Sequence, residues 1–235
     1  MADMKKSKKI LLYLLIFFIL NSASCRNLPE PQPVAENDPA EGPVVCLGDS
    51  LTSGYNIYGD KTEDRTKAYP AIIQKYTSMT VINAGICGDT TKDALFRLNR
   101  DVLSKNPAIV IVFLGANDFF YDFEFWFTKY NFYNILSNVT DGKRKVFLVK
   151  FLPDSVISWE LEQNHKDKEP DLIIKQYNDL YSDLSKTFDV QIIDDIWDDF
   201  MQDDTTDGVH PDVHGHEIIG MCIYNAIRPF LSPLD

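Results

Sequence analysis

Apolar and polar residues come in alternating blocks from Val44 onward, with apolar runs at 44–47, 80–84, 108–114, 145–151 and 190–194. Val and Ile dominate most of these runs, and near-continuous apolar strands of that kind are what a parallel sheet covered on both faces requires. The segments between them change to a helical period. Thr90 to Lys105 carries Ala94, Leu95, Leu98 and Val102 on one face, with Asp89 or Thr90 as the N-cap. Residues 170–188 open with Pro170 and repeat Leu172, Ile173, Tyr177, Leu180, Tyr181 and Leu184. Glu217 to Phe230 is a further apolar helix, stopped by Pro229. Five strands alternating with helices predict an α/β fold, a three-layer α/β/α sandwich with a five-stranded parallel sheet and right-handed crossovers. The block from 44 to 235 is expected to be one domain, with no internal repeat.

The chain before Val44 reads differently. Lys5, Lys6, Lys8 and Lys9 precede an apolar run of 11 residues, Ile10 to Leu20, too short to span a bilayer and suited to a signal segment. Small residues then lead to Cys25, in the manner of a bacterial lipoprotein signal whose cysteine carries the lipid, although Ser22 stands where such signals usually have leucine. Residues 26–43 hold five of the chain's 12 prolines and no apolar period, so they are expected to form a tether. At about 3.1 Å per residue, 18 extended residues reach roughly 55 Å.

Charge narrows the partners. The net charge is −12, and loss of residues 1–24 with their four lysines and Asp3 takes it to −15. Such a surface argues against nucleic acid, which needs clustered Lys and Arg, and against lying flat on an anionic membrane. The expected membrane contact is through the lipid at Cys25 only, which makes the protein exported and anchored, or otherwise secreted.

Four short segments carry the candidate chemistry. Gly48-Asp49-Ser50-Leu51 follows the first strand, and Asn83 to Thr91, with Gly85, follows the second. Gly115-Ala116-Asn117-Asp118 follows the third, and Asp207-Gly208-Val209-His210-Pro211 precedes the last helix. In a parallel sheet these strand ends meet at one edge, where open α/β sheets bind ligands. A serine hydroxyl there becomes a nucleophile when a base removes its proton, which His210 suits near neutral pH. Asp207, three residues earlier, is placed to hold the other imidazole nitrogen. The oxyanion of an acyl-transfer intermediate needs preorganised donors, and the candidates are the Ser50 N–H, the Gly85 N–H and the Asn117 amide. A serine at such a turn can equally be a mere helix cap, and the His-Asp segment at the far end of the chain is what favours chemistry.

Together the four segments resemble the conserved blocks of the GDSL, or SGNH, hydrolases, in order and over about residues 44–225. The wording of the glycine segment is most similar to the thioesterase, arylesterase and lysophospholipase branch, with Cys87 where that branch usually has serine. The resemblance implies a flavodoxin-like fold and a serine ester hydrolase acting on a small-molecule ester. Ser50, Asp207 and His210 would be the triad, and Ser50, Gly85 and Asn117 the oxyanion hole. No cofactor or metal is expected. Carbohydrate or cell-wall O-acetyl ester hydrolysis is the alternative substrate class, and a non-catalytic surface lipoprotein the alternative class of protein.

Several features have blander readings. His210, His214 and His216 with Asp207 and Asp212 could suggest a metal cluster, but Pro211 disfavours a regular helical pairing of His210 with His214. His165 reads as a solvated loop residue. Cys46, Cys87 and Cys222 remain once Cys25 is lipidated, and this odd number favours buried free thiols, with one pair near the site as the open alternative. Phe119 to Tyr133 holds ten aromatics in fifteen residues and is expected to supply both a buried helix side and an apolar wall for an acyl or aryl group.

Overall fold

The computed structural model describes residues 42–165, 167–198 and 200–234. The signal segment with Cys25, and the tether up to residue 41, lie outside the described residues. Five parallel strands form one sheet: β1 (Val44–Gly48), β2 (Val81–Gly85), β3 (Ile109–Phe113), β4 (Lys145–Val149) and β5 (Gln191–Ile193). Their order across the sheet is β2-β1-β3-β4-β5, the flavodoxin-like arrangement with a switch point between β1 and β3.

Alternation along each strand divides two cores. Val45, Leu47, Val110, Val112 and Leu148 face one side, where α3 (Thr91–Asp101), α5 (Phe125–Val139) and α7 (Pro170–Phe188) cover them. Val44, Cys46, Ile109, Ile111, Phe113, Phe147 and Val149 face the other, under α2 (Tyr69–Gln74) and α8 (Val213–Ile227). Both faces of β1 and β3 are wholly buried, which explains why these runs read as continuous and not as alternating. Three shorter or less regular helices complete the α-helices of the described residues: α1 (Ser50–Ser53), α4 (Ala116–Phe120) and α6 (Asp154–Asn164).

The helix and strand bounds differ from the pattern in ways with local causes. The third apolar run loses a residue at each end, and the fourth stops at Val149 because the Phe151 N–H goes to the Tyr181 hydroxyl, 3.1 Å, and not to the ladder. Thr90 caps α3 with a reciprocal box: Asp93 N donates to Thr90 Oγ1 at 3.3 Å and Thr90 N to Asp93 Oδ2 at 3.1 Å. Beyond Val102 the helix tightens into a 3₁₀ turn at Leu103–Lys105. The last helix starts four residues before Glu217, because the Asp212 carboxylate accepts from Gly215 N, 2.8 Å, and caps it at Val213. His165 lies just past the end of α6, in the loop as expected, but half-buried, with Nδ1 3.8 Å from Asp122.

His216, on the buried side of α8, is fully enclosed and accepts a hydrogen bond from Tyr69 N at 3.3 Å. Burial pushes its pKa down to about 4. An unfolded histidine takes its proton near 6.5, so stability is lost as pH falls from that value toward 4, by about 2 kcal/mol at pH 5. His216→Gln, which keeps an acceptor, should therefore show a smaller drop in urea midpoint between pH 7 and pH 5 than the wild type. Equal drops would remove His216 as the cause.

Candidate active site

Ser50 is the first residue of α1, directly beyond the end of β1. Asp49 caps that short helix by accepting from Leu51 N at 3.0 Å. Burial pushes the Asp49 pKa up to about 7, with Asp118 and Asp89 adding repulsion to what the Leu51 bond offsets.

The segment after β5 supplies the second half of the site. It folds back on itself through a Thr205–Pro211 bridge and a Thr206 N–H bond to His210 O, 2.9 Å. Asp207 Oδ1 accepts from the backbone N–H groups of Val209 (3.1 Å) and His210 (2.8 Å), a local turn that sets the carboxylate in place. Asp207 Oδ2 lies 2.7 Å from His210 Nδ1, and His210 Nε2 lies 3.1 Å from Ser50 Oγ. Partial burial raises the Asp207 pKa, but the backbone and ring N–H groups of His210 outweigh it and hold the carboxyl below its ordinary value. An ionised Asp207 accepts the Nδ1–H and leaves Nε2 with its lone pair toward the serine. The Tyr55 ring meets the imidazole edge-on, with centroids 5.1 Å apart.

Two further strand ends reach this edge. Asn117, in α4 after β3, donates from Nδ2 to Asp89 O at 2.9 Å and more loosely to Asp49 Oδ2 at 3.4 Å. The glycine segment corrects one expectation. Gly85 ends β2, its N–H is engaged by Asn83 Oδ1 at 3.0 Å, and its carbonyl accepts from Arg65 at 2.9 Å. A Cβ on Gly85 would come within 2.4 Å of Ser53 N, so its lack of side chain serves the packing of β2 against α1. The backbone that leans into the site is the next turn, Ile86 to Asp89, closed by Asp89 N to Ile86 O at 3.1 Å. Gly88 has φ +82°, as the third position of a type II turn demands, and the N–H of its central peptide is left out of the turn's own hydrogen bond.

Arg97 holds these parts together, and sequence reasoning missed it. Only 5% exposed, it donates to Ala84 O (2.7 Å), Gly48 O (2.9 Å), Asp89 (2.5 Å) and Asp101 (3.1 Å). One guanidinium thus joins the ends of β1 and β2 to the turn that follows Gly88. Its signal in the sequence was weak: an Arg on the same face of α3 as Ala94. Asp118 is likewise buried and accepts from Thr91 N at 2.8 Å, so it anchors the start of α3 and not a substrate. Asn56, also missed, donates to Asp207 Oδ2 at 2.8 Å.

The remaining candidates separate. His214 is exposed near Asp204 (3.8 Å) and Glu217 (3.9 Å), His216 is sealed in the core and His210 faces Ser50, so the three imidazoles do not converge. Cys46 is buried in β1, whereas Cys87 is exposed in the glycine turn and not buried as expected; among the described residues no disulfide joins these two. Within the aromatic stretch, Phe119 and Phe132 are core residues, whereas Trp126 and Tyr130 are exposed on α5 and Tyr121 lies beside Gly88. The cavity next to the His-Asp pair has other walls. It measures about 400 Å³ and is lined by Asp207, Ser155 and Thr205 together with Trp159, Trp197, Phe200 and Met201.

A parallel α/β/α sheet carries a hydrogen-bonded Asp207–His210–Ser50 chain at its carboxyl edge, an arrangement suited to hydrolytic chemistry. Residues 46–218 match the GDSL-like Lipase/Acylhydrolase family, and the chain belongs to it. It is 27% identical over 201 residues to Thioesterase 1/protease 1/lysophospholipase L1 of Escherichia coli (strain K12), covering 80% of this chain and 85% of that one. It is 27% identical to an arylesterase of Vibrio mimicus, over 86% and 88% of the two chains. The lipase/acylhydrolase from Enterococcus faecalis superposes with a TM-score of 0.66 at 26% identity, over 83% of this chain and 99% of that one. The protein is a carboxylic ester hydrolase.

Proposed function

We propose that the protein hydrolyses small-molecule esters through an acyl-enzyme on Ser50, with His210 as general base and Asp207 as its partner. The observation that carries this reading is the continuous hydrogen-bond chain Asp207–His210–Ser50, at 2.7 and 3.1 Å. His210 Nε2 takes the Ser50 proton as Oγ attacks the ester carbonyl, and the Asp207 carboxylate stabilises the imidazolium that results. The oxyanion is met by the Ser50 N–H, the Asn117 amide hydrogen now held only loosely by Asp49, and the Gly88 N–H in place of that of Gly85. Collapse releases the alcohol, protonated by His210. Water, deprotonated by the same imidazole, then attacks the acyl-serine, and the acid leaves with Ser50 restored.

The cavity beside Asp207 supports an apolar group on the substrate. Its two indoles, Phe200 and Met201 offer little to a sugar hydroxyl and much to a hydrocarbon. The expected wall for the substrate thus moves from the 119–133 stretch to α6 and the segment after β5. The same reading keeps Cys25 as a lipid-bearing residue and residues 26–43 as the tether of an exported enzyme, on the strength of the sequence pattern.

Three measurements test this function. A fluorophosphonate probe should label the wild type at one serine, and Ser50→Ala should lose both the label and on the order of 10⁴-fold or more in kcat. A label on a different serine would refute the assignment. With p-nitrophenyl esters from acetate to palmitate, kcat/KM should climb to about hexanoate or octanoate, since each buried CH₂ contributes up to about 0.8 kcal/mol. Trp159→Ala should flatten that climb, whereas an acetate optimum in the wild type would transfer the reading to O-acetyl sugars. Full-length protein made in bacteria should partition into detergent and Cys25→Ala should not; equal partitioning would reduce the segment to a plain signal peptide.

A further inference from the structure

The two residues that follow α1 and Gly54 each touch one member of the His-Asp pair. Tyr55 sets its ring edge-on to His210, with centroids 5.1 Å apart. Asn56, from a segment 151 residues away in sequence, donates its amide to Asp207 Oδ2 at 2.8 Å and to Thr206 Oγ1 at 3.1 Å. Thr206 returns a bond from its hydroxyl to Asn56 O, 2.8 Å, so the two loops clasp each other. The other end of the amide is also engaged, Oδ1 accepting from Lys61 N at 2.8 Å. Asn56 is 5% exposed and sits at φ +59°, a region that Asn tolerates better than most side chains.

We propose that Asn56 is a positioning residue for this hydrolase: its amide fixes the Asp207 carboxylate, and through it the orientation of His210 toward Ser50. The inference rests on the triad reading above. Asp207 Oδ1 is held by N–H groups of its own turn, but those move with the turn. Oδ2 has His210 as its local partner, and the Asp207 side chain is 41% exposed, open to competition from water. The Asn56 donor ties that oxygen to the scaffold that carries Ser50, so nucleophile and base share one reference frame. A neutral donor suits the task. A lysine or arginine would neutralise the carboxylate and weaken the base it supports, whereas an amide orients it and leaves its charge to the imidazolium.

Two substitutions separate this role from simple loop structure. Asn56→Gly keeps the positive φ and removes the amide. Asn56→Asp keeps an acceptor for Lys61 N and sets a second carboxylate against Asp207. Other titratable groups about the pair are Tyr55 and, on α8, His216 with Asp212 at the helix cap; His216 stays neutral above its depressed pKa of about 4. Asn56→Gly should lower kcat by about tenfold with KM changed less than roughly twofold. Asn56→Asp should move the acid limb of kcat/KM, and the pH dependence of the His210 ring signals followed by NMR and assigned against His210→Gln, toward higher pH, since a second carboxylate favours the imidazolium. Wild-type kcat in Asn56→Gly, or a His210 titration unmoved in Asn56→Asp, overturns the proposal. The NMR titration needs no substrate, so it decides the contact independently. Absence of ester turnover by the wild type would overturn the hydrolase reading instead.

Discussion

Everything at the active edge depends on β1 being paired in parallel on both sides. Gly48 stands opposite Gly85 on one flank and opposite Phe113 on the other, so three strands end at the same level. Ser50 follows the first, the Gly88 turn the second and Asn117 the third. The strands pair this way because both faces of β1 and β3 are apolar and must be covered. The crossover from β2 back past β1 to β3 then opens a crevice between β1 and β3. The core thereby decides which backbone groups become neighbours of the serine, before any catalytic side chain is considered.

Arg97 is the device that keeps those ends in register. Gly48 O already accepts from Ile86 N at 3.1 Å, and a carbonyl oxygen has a second lone pair open to another donor. Arg97 donates to Gly48 O and Ala84 O at once, tying the two strand ends together, and balances its own charge with Asp89 and Asp101. A cation buried to this degree is tolerable because both carboxylates lie within 3.1 Å. The packing of Gly85 against α1 works in the same direction, since any side chain there would push β2 away from the serine helix.

Carboxylates crowd this edge, and their surroundings give them different roles. Asp207 is held ionised by N–H donors from its own loop. Asp118 and Asp89 are pushed up by burial and spend their oxygens on Thr91 and on Arg97. Asp49, pushed up to about 7, sits between the serine helix and the Asn117 amide. Only the carboxylate with local donors and partial exposure faces the imidazole, which is where a negative charge is useful.

Periodicity and motif order alone determined the sheet and most of the helices, and singled out Ser50, His210 and Asp207 as candidates, because each depends on local pattern or on a strand end. Thr90 and Pro170 announced their helix starts through capping chemistry that acts within four residues. Which of the two glycines has its N–H engaged could not be decided that way. Gly85 and Gly88 are equivalent as letters, and what separates them is that Asn83 engages one N–H while a turn leaves the other out. Asn56 carried no signal at all, since its partner lies 151 residues away. The aromatic stretch read as both a buried helix side and a wall of the cleft: Phe119 and Phe132 fill the core as the first reading has it, Tyr121 lies beside Gly88, and the cavity lined by Asp207 takes its apolar walls from Trp159, Trp197, Phe200 and Met201. Hydrophobicity says that a side chain seeks burial; only the packing of helices and loops decides against what.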